Sequence, residues 1–424
     1  MKPFYLIMFP LLLSLNTSAA ESEVIIPQLL AEGLARQLLV NDPEIASAES
    51  TLRSAQIGTE QQRLSPYDWV ARGTYQRRNY RNGTESGSNA NSNEWNVGIE
   101  RTVRLPAKVS ADQASSDATN TLAKLQAQQA QRQAVSSLFN IWLDWLDAES
   151  RESLLRRQHI TMTANVAAVR KRVRAGDAAQ LEQQLAIAEL ATVQRQVNQA
   201  SYLASSKLTQ LTTRYPASAE LIAKDLPTPI KVAHDATWWQ SRQLAMNSTI
   251  QIAQAQIDIA SAAVNRAKAD RLPDPTFGVF TASEAYGNER IIGLSASIPL
   301  GSKRRALEVE RLQTQLESAR LNQVIIEREQ RAESINRYNA ATGAYEQWQL
   351  AQQTASLMAE NAKLTQKAYT LGEGDIQQLL LAQRQALSAV EDESSAKVTA
   401  LRTYADLLLN AQLLWPNLLN AKSL

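Results

Sequence analysis

The segment Tyr369-Thr370-Leu371-Gly372-Glu373-Gly374-Asp375 separates two very long runs of helical character, and a fainter copy, Val173-Arg174-Ala175-Gly176-Asp177, stands in the first half of the 424-residue chain. Neither Gly nor Pro occurs from Ala107 to Ala175, and the next breaker after Gly176 is Pro216. The second copy has the same surroundings: Ser302 to Leu371 carries only Gly343, and Asp375 to Trp415 carries no breaker. Glycine supplies the left-handed backbone that ends a helix, and aspartate the cap that opens the next. Each segment therefore reads as the tip of a long helical hairpin, with Asp177 and Asp375 opening the return helices.

Two hairpins in one chain imply an internal duplication, and the spacing agrees. Val103-Arg104-Leu105-Pro106 and Ile298-Pro299-Leu300-Gly301 precede Gly176 and Gly372 at distances equal to within one residue. Tyr215-Pro216 and Trp415-Pro416 close the two units. A period of about 200 residues is too long for a solenoid and marks a duplicated half-protein. The expected division is a signal segment over 1–20, a first repeat over 21–235 with its hairpin tip near 176, and a second over 236–424 with its tip near 372.

At the N-terminus, Lys2, an apolar run from Phe4 to Leu15 and the small residues Ser18-Ala19-Ala20 have the layout of a secretory signal cleaved near Ala20. The chain has no Cys, so disulfides and thiolate metal sites are excluded. Its net charge of +2, with basic and acidic residues interspersed, argues against a nucleic-acid partner. Beyond the signal, no stretch approaches the length of apolar sequence that a membrane helix needs. Any entry into a membrane must be made with strands.

Strands are indeed expected. After Pro66 the helical period gives way to alternation, with Trp69, Ala71, Gly73 and Tyr75 on one face and Arg72, Thr74, Gln76 and Arg78 on the other. Strands are expected at about 68–79 and 95–104, joined by an Asn-, Ser- and Gly-rich loop from Asn79 to Glu94. A second pair is expected at about 276–282 and 291–300, where Ile292, Leu294, Ala296 and Ile298 share a face. An apolar and a polar face on each strand suit a barrel wall between lipid and a wet lumen. Four strands cannot close a transmembrane barrel and open edges are not tolerated in lipid, so insertion demands several chains.

A helix of about seventy residues spans roughly 105 Å and must be supported along its length. Coiled-coil seams are expected near the tips, from Met162, Val166, Val169 and Val173 against Leu181, Leu185 and Ala188. The second hairpin offers Leu357, Leu364, Ala368 and Leu371 against Ile376, Leu380, Leu387 and Val390. Trp142, Trp145 and Trp348, in the middle of the long helices, are expected to pack between helices. Between the repeats, Ala217 to Ala236 reads as an equatorial segment. The helices alone also fit a soluble periplasmic coiled-coil scaffold or adaptor component; the strand pair before each hairpin favours the barrel.

Enzyme chemistry finds little support. His159 and His234 have no partner at metal-ligand spacing, and there is neither a phosphate loop nor a nucleophile elbow. No catalytic residue, metal site or cofactor is expected. Asn82-Gly83-Thr84 matches a glycosylation triplet, a motif short enough to arise by chance.

In order and duplication, Leu39-Val40-Asn41-Asp42-Pro43-Glu44, Arg271-Leu272-Pro273-Asp274-Pro275, Gly293-Leu294-Ser295, Ile298-Pro299-Leu300, Tyr369-Thr370-Leu371-Gly372 and Leu379-Leu380-Leu381-Ala382-Gln383 resemble the TolC family of outer-membrane efflux and secretion ducts. The resemblance covers nearly the whole mature chain and extends to the CzcC-like heavy-metal branch. It implies a mainly helical fold with a β-barrel contribution: a homotrimer in the outer membrane of a Gram-negative bacterium, with twelve strands in one barrel and twelve helices in a periplasmic tunnel. It implies as partners outer-membrane lipid, a periplasmic adaptor (membrane fusion) protein and an inner-membrane pump of RND or ABC type. The adaptor would dock on the tips, at Arg174, Gly176 and Asp177 and at Gly372, Gly374 and Asp375. It further implies a periplasmic gate in which a Tyr three residues before the second glycine bonds an acidic residue six after the first, here Tyr369 and Glu182. Gly374 stands where the family pattern has Arg, and Gln378 and Leu381 where it has two ring carboxylates. The constriction should therefore draw its negative charge from Glu182 rather than Gln378.

Overall fold

The computed structural model describes residues 29–80, 90–220, 225–301 and 303–419. The signal segment and the Asn82-Gly83-Thr84 triplet lie outside them. Two short helices, α1 (Glu32–Leu39) and α2 (Pro43–Arg63), open the chain. As expected from Asn41-Asp42-Pro43-Glu44, the Asp42 carboxylate caps α2 by accepting the Glu44 N–H at 2.8 Å, with Pro43 in the first turn. Strands β1 (Trp69–Tyr80) and β2 (Ala90–Thr102) lead into α3 (Pro106–Arg174) and α4 (Gln180–Arg214). The second half repeats the order with α5 (Ala236–Ala245), α6 (Ser248–Ala269), β3 (Thr276–Glu284), β4 (Glu289–Ser297), α7 (Lys303–Leu371) and α8 (Ile376–Asn410), before a short α9 (Pro416–Leu419). The long helices α3 and α7 have 69 residues each and the return helices α4 and α8 have 35 each, which expresses the duplication at the level of helix length.

The four strands form one antiparallel sheet in the order β1-β2-β3-β4, so β2 and β3 join the two halves. The register places Trp69, Ala71, Gly73 and Tyr75 beside Arg101, Ile99, Val97 and Trp95 on one face, continuing through Phe277 and Val279 to Leu294 and Ile292. This face is apolar and open. The other is polar and cross-linked: Arg72 meets Glu100 at 2.7 Å, and the Gln76 amide donates to Glu94 at 2.8 Å. Several boundaries differ from expectation, and β3 and β4 extend to Glu284 and from Glu289 around a tighter turn. Strand β2 starts at Ala90, so Asn91, Ser92, Asn93 and Glu94 are paired strand rather than loop, because Arg78 and Gln76 offer Glu94 charged and polar partners across the ladder. Strand β4 stops at Ser297, ahead of Pro299.

Helices α3 and α7 run past both layers of shorter helices. On the strand side α3 packs with α2 and α6 and α7 with α6, and on the tip side α3 packs with α4 and α7 with α8. Halfway along, a core of Val135, Leu138, Phe139, Trp142 and Leu146 from α3 meets Leu211, Trp239, Leu401 and Trp415. Trp142, Trp145 and Trp348 are all buried, in the packing role expected of them; the Trp348 indole N–H also donates to Glu393 at 2.8 Å. His234 stacks on Trp238 with ring centroids 4.2 Å apart.

The seam expected on α7 is reversed. Ala341, Trp348, Ala355 and Tyr369 turn inward, whereas Leu350, Leu357, Leu364 and Leu371 form an outward row at seven-residue spacing, each at least 58% exposed. Residues two apart lie on nearly opposite sides of a helix, so Tyr369 buried means Leu371 exposed. The inward row alternates small Ala341 and Ala355 with the large Trp348 and Tyr369, and the leucines face outward. On α4, Leu181 is likewise exposed, while on α3 Met162, Val166 and Val169 are buried as expected.

Where strands give way to helices, a buried ion network fastens the two halves. Lys108 of α3 reaches Asp274 at 3.1 Å and Asp270 at 3.3 Å. The Tyr67 hydroxyl donates to Asp274 at 2.8 Å, and the Leu105 N–H donates to its other oxygen at 3.0 Å. Asp112 receives both Arg104 and Arg266. The Pro273-Asp274-Pro275 turn of the second repeat thus holds the start of the first repeat's long helix.

Candidate functional site

The two hairpin tips share one backbone solution. The Gly176 N–H donates to the Val173 carbonyl at 3.1 Å and the Asp177 N–H to that of Arg172 at 2.9 Å. At the second tip the Gly372 N–H donates to Tyr369 at 3.2 Å and the Glu373 N–H to Ala368 at 2.9 Å. This pair of hydrogen bonds closes a helix around a left-handed residue, and Gly176 and Gly372 have φ of 79° and 80°. A Cβ at either would meet nothing within 4 Å, so a substitution there strains only the backbone.

The return helices start differently. Asp375 caps α8, its carboxylate accepting the Gln377 and Gln378 N–H groups at 2.5 and 3.0 Å. Asp177 does not cap α4, contrary to expectation. The cap position is Ala179, whose N–H donates to Glu182 at 3.4 Å. Asp177 lies two residues too early and instead receives Arg172, the guanidinium Nε donating to its carboxylate at 2.8 Å.

Tyr369 and Glu182, 187 residues apart, are brought together. The buried Tyr369 hydroxyl donates to Glu182 at 3.2 Å, linking α7 to the first turn of α4. Burial, reinforced by the Glu182 charge and opposed by Arg172, raises the Tyr369 pKa, so the phenol remains a donor at neutral pH. Further along, the Asn165 amide donates to Gln383 at 3.2 Å and Gln383 to Gln366 at 2.9 Å, a second tie between the hairpins. Gln378 is not part of this contact; its side chain is exposed on the first turn of α8. Arg174 is exposed and bonds back to the Arg170 carbonyl at 3.3 Å. Gly374 is half-buried, with room for a Cβ at ordinary contact distance from the Tyr369 backbone nitrogen.

Sequence reasoning missed Arg172, whose guanidinium lies 4.8 Å from the centre of the Tyr369 ring. Its place in the last turn of α3, where a cation favours the helix dipole, was the available signal. Its aromatic partner sits on the other hairpin.

Among the described residues, no group of three or more His, Cys, Asp or Glu side chains is arranged to hold a metal ion, and no helix is long and apolar enough to cross a membrane.

No protein-family model matches the chain, and no curated protein does. Solved structures do match. The outer-membrane channel OprN is 19% identical over 90% of both chains, with a TM-score of 0.69. The CmeC outer membrane channel of Campylobacter jejuni is 14% identical over 90% of this chain and 85% of its own, with a TM-score of 0.72. CusC, described in terms of transmembrane channel formation, is 14% identical over 91% of both chains, with a TM-score of 0.71. The fold is therefore that of the TolC-type outer-membrane channels, and the structures it resembles are channels rather than enzymes.

A bulky residue at Gly176 or Gly372 forces a side chain into left-handed backbone, at about 1–2 kcal/mol. Gly372→Val should therefore destabilise the chain by about that amount without changing its helix content; thermal denaturation followed by circular dichroism tests this, and an unchanged midpoint would mean that the tip backbone relaxes out of the left-handed region.

Proposed function

We propose that the chain is the passive outer-membrane duct of a tripartite efflux or secretion system. Three copies join their four-stranded sheets into one barrel and their long helices into a periplasmic tunnel. The carrying observation is the sheet itself, which has an open edge at β1 and another at β4 and an exposed apolar face in which Ile292 is 88% and Leu294 85% exposed. Open edges in lipid are satisfied by closure, and an apolar outer face backed by a charged inner one is what a barrel wall requires. The outward leucine row on α7 supplies a second copy with a ready seam. After signal cleavage near Ala20 the protein resides in the outer membrane, its tips meeting a periplasmic adaptor and, through it, an RND or ABC pump.

Within this reading the tip contact is a gate, and the Tyr369–Glu182 bond holds the inner end of the tunnel closed. A hydrogen bond to a charged group contributes about 1.5–3 kcal/mol, roughly tenfold in population at the lower end. Tyr369→Phe combined with Glu182→Ala should therefore raise single-channel conductance in planar bilayers and admit large antibiotics into cells. Unchanged conductance from a normally assembled trimer would place the gate elsewhere.

A further inference from the structure

We propose that Arg172 is a positioning residue of this gate, a clasp that holds the Tyr369 ring in addition to its reach to the Tyr369 hydroxyl. The inference rests on the gate reading above and on the geometry around one guanidinium. Arg172 belongs to the first hairpin and Tyr369 to the second. One edge of the guanidinium is fixed to the first tip, with Nε donating to the Asp177 carboxylate at 2.8 Å and Nη2 to the Asp177 carbonyl at 3.2 Å. Its carbon stands 4.8 Å from the centre of the Tyr369 ring, within cation–ring range. Asp177 is thereby released from capping duty and becomes the anchor that aims Arg172 across the gap. The tip backbone prepares this aim, because the Asp177 N–H is itself bonded to the Arg172 carbonyl at 2.9 Å.

The second hairpin is thus held at one residue through the ring by Arg172 and through the hydroxyl by Glu182, with the Arg172 guanidinium also in reach of that hydroxyl. The two attachments respond differently to substitution. Phenylalanine at 369 removes the hydroxyl and keeps the ring, whereas leucine removes both.

The experiment compares single-channel conductance and open fraction for Tyr369→Phe, Tyr369→Leu, Arg172→Met, Arg172→Lys and Arg172→Met with Tyr369→Phe. Each trimer is first checked for detergent resistance and sheet content. Loss of the cation–ring contact should lower the closed-to-open ratio about two- to fivefold. Tyr369→Leu should therefore open the duct further than Tyr369→Phe by that factor, and Arg172→Met added to Tyr369→Phe should reproduce the Leu variant. Arg172→Lys keeps a cation and should restore part of the closure, which a merely structural role for the side chain would not. If Phe and Leu at 369 behave alike and Arg172→Met matches the parent, while Tyr369→Phe with Glu182→Ala opens the duct, the clasp is overturned and the gate stands. If neither set moves conductance, the gate falls and the clasp with it.

Discussion

Leu294→Arg, and equally Ile292→Arg, should eliminate the detergent-resistant trimer proposed above. Both side chains stand on the open apolar face, opposite Val279 and Thr281 on the neighbouring strand, with no carboxylate paired to either position. An arginine near the bilayer midplane costs about 2–4 kcal/mol per copy, and the proposed threefold assembly would repeat that cost three times. Gln76→Arg is the control. It lies on the other face directly across from Glu94, whose carboxylate already accepts Gln76 and Arg78, so an added cation meets an anion there. Gel analysis of the unheated trimer reads the difference. Equal yields for all three variants would reverse the assignment of lipid and lumen faces.

Removing Lys108 alone should destabilise the join between the sheet and the long helices by about 3–5 kcal/mol, because a buried ion pair that loses one partner leaves an uncompensated charge. The Lys108 and Asp274 side chains are only 5% and 3% exposed. Lys108→Met should lower the thermal midpoint sharply, whereas Lys108→Met with Asp274→Leu should recover most of the loss. Thermal denaturation in detergent makes the comparison, and failure of the double variant to recover would mean that Asp274 acts chiefly through Tyr67 and Leu105. Acid gives an independent check. Burial works to raise the Asp274 pKa, but the Leu105 N–H, the Tyr67 hydroxyl and Lys108 outweigh it and hold the carboxyl below its ordinary range. A carboxyl depressed in the folded state contributes stability that is present above its unfolded pKa and is lost as pH falls through the folded one. The parent should therefore lose this stabilisation only below the usual carboxylate range, and Asp274→Asn should show no such loss.

Much of this architecture was legible in residue order, because it follows from rules that act over a few residues. Gly176 and Gly372 stop the long helices because only glycine adopts their left-handed backbone without strain, and Asp42 and Asp375 start helices by bonding N–H groups two or three residues on. Alternation in Trp69 to Arg78 assigns the two faces of a strand before its partners are known. What depends on contact between distant segments was not legible. Asp177 resembles Asp375 locally, yet it serves Arg172, because a cap is defined by where the next helix begins and not by the residue type alone. Leu357, Leu364 and Leu371 have the spacing of an inward seam, but α7 carries a second heptad row, and only the placement of α8 and α4 beside it selects Trp348 and Tyr369 for the interior. Tyr369 meets Glu182 and Arg172 across two hairpins whose relative register is set by side-chain packing along 69-residue helices, a sum of many small contacts that no local sequence pattern records.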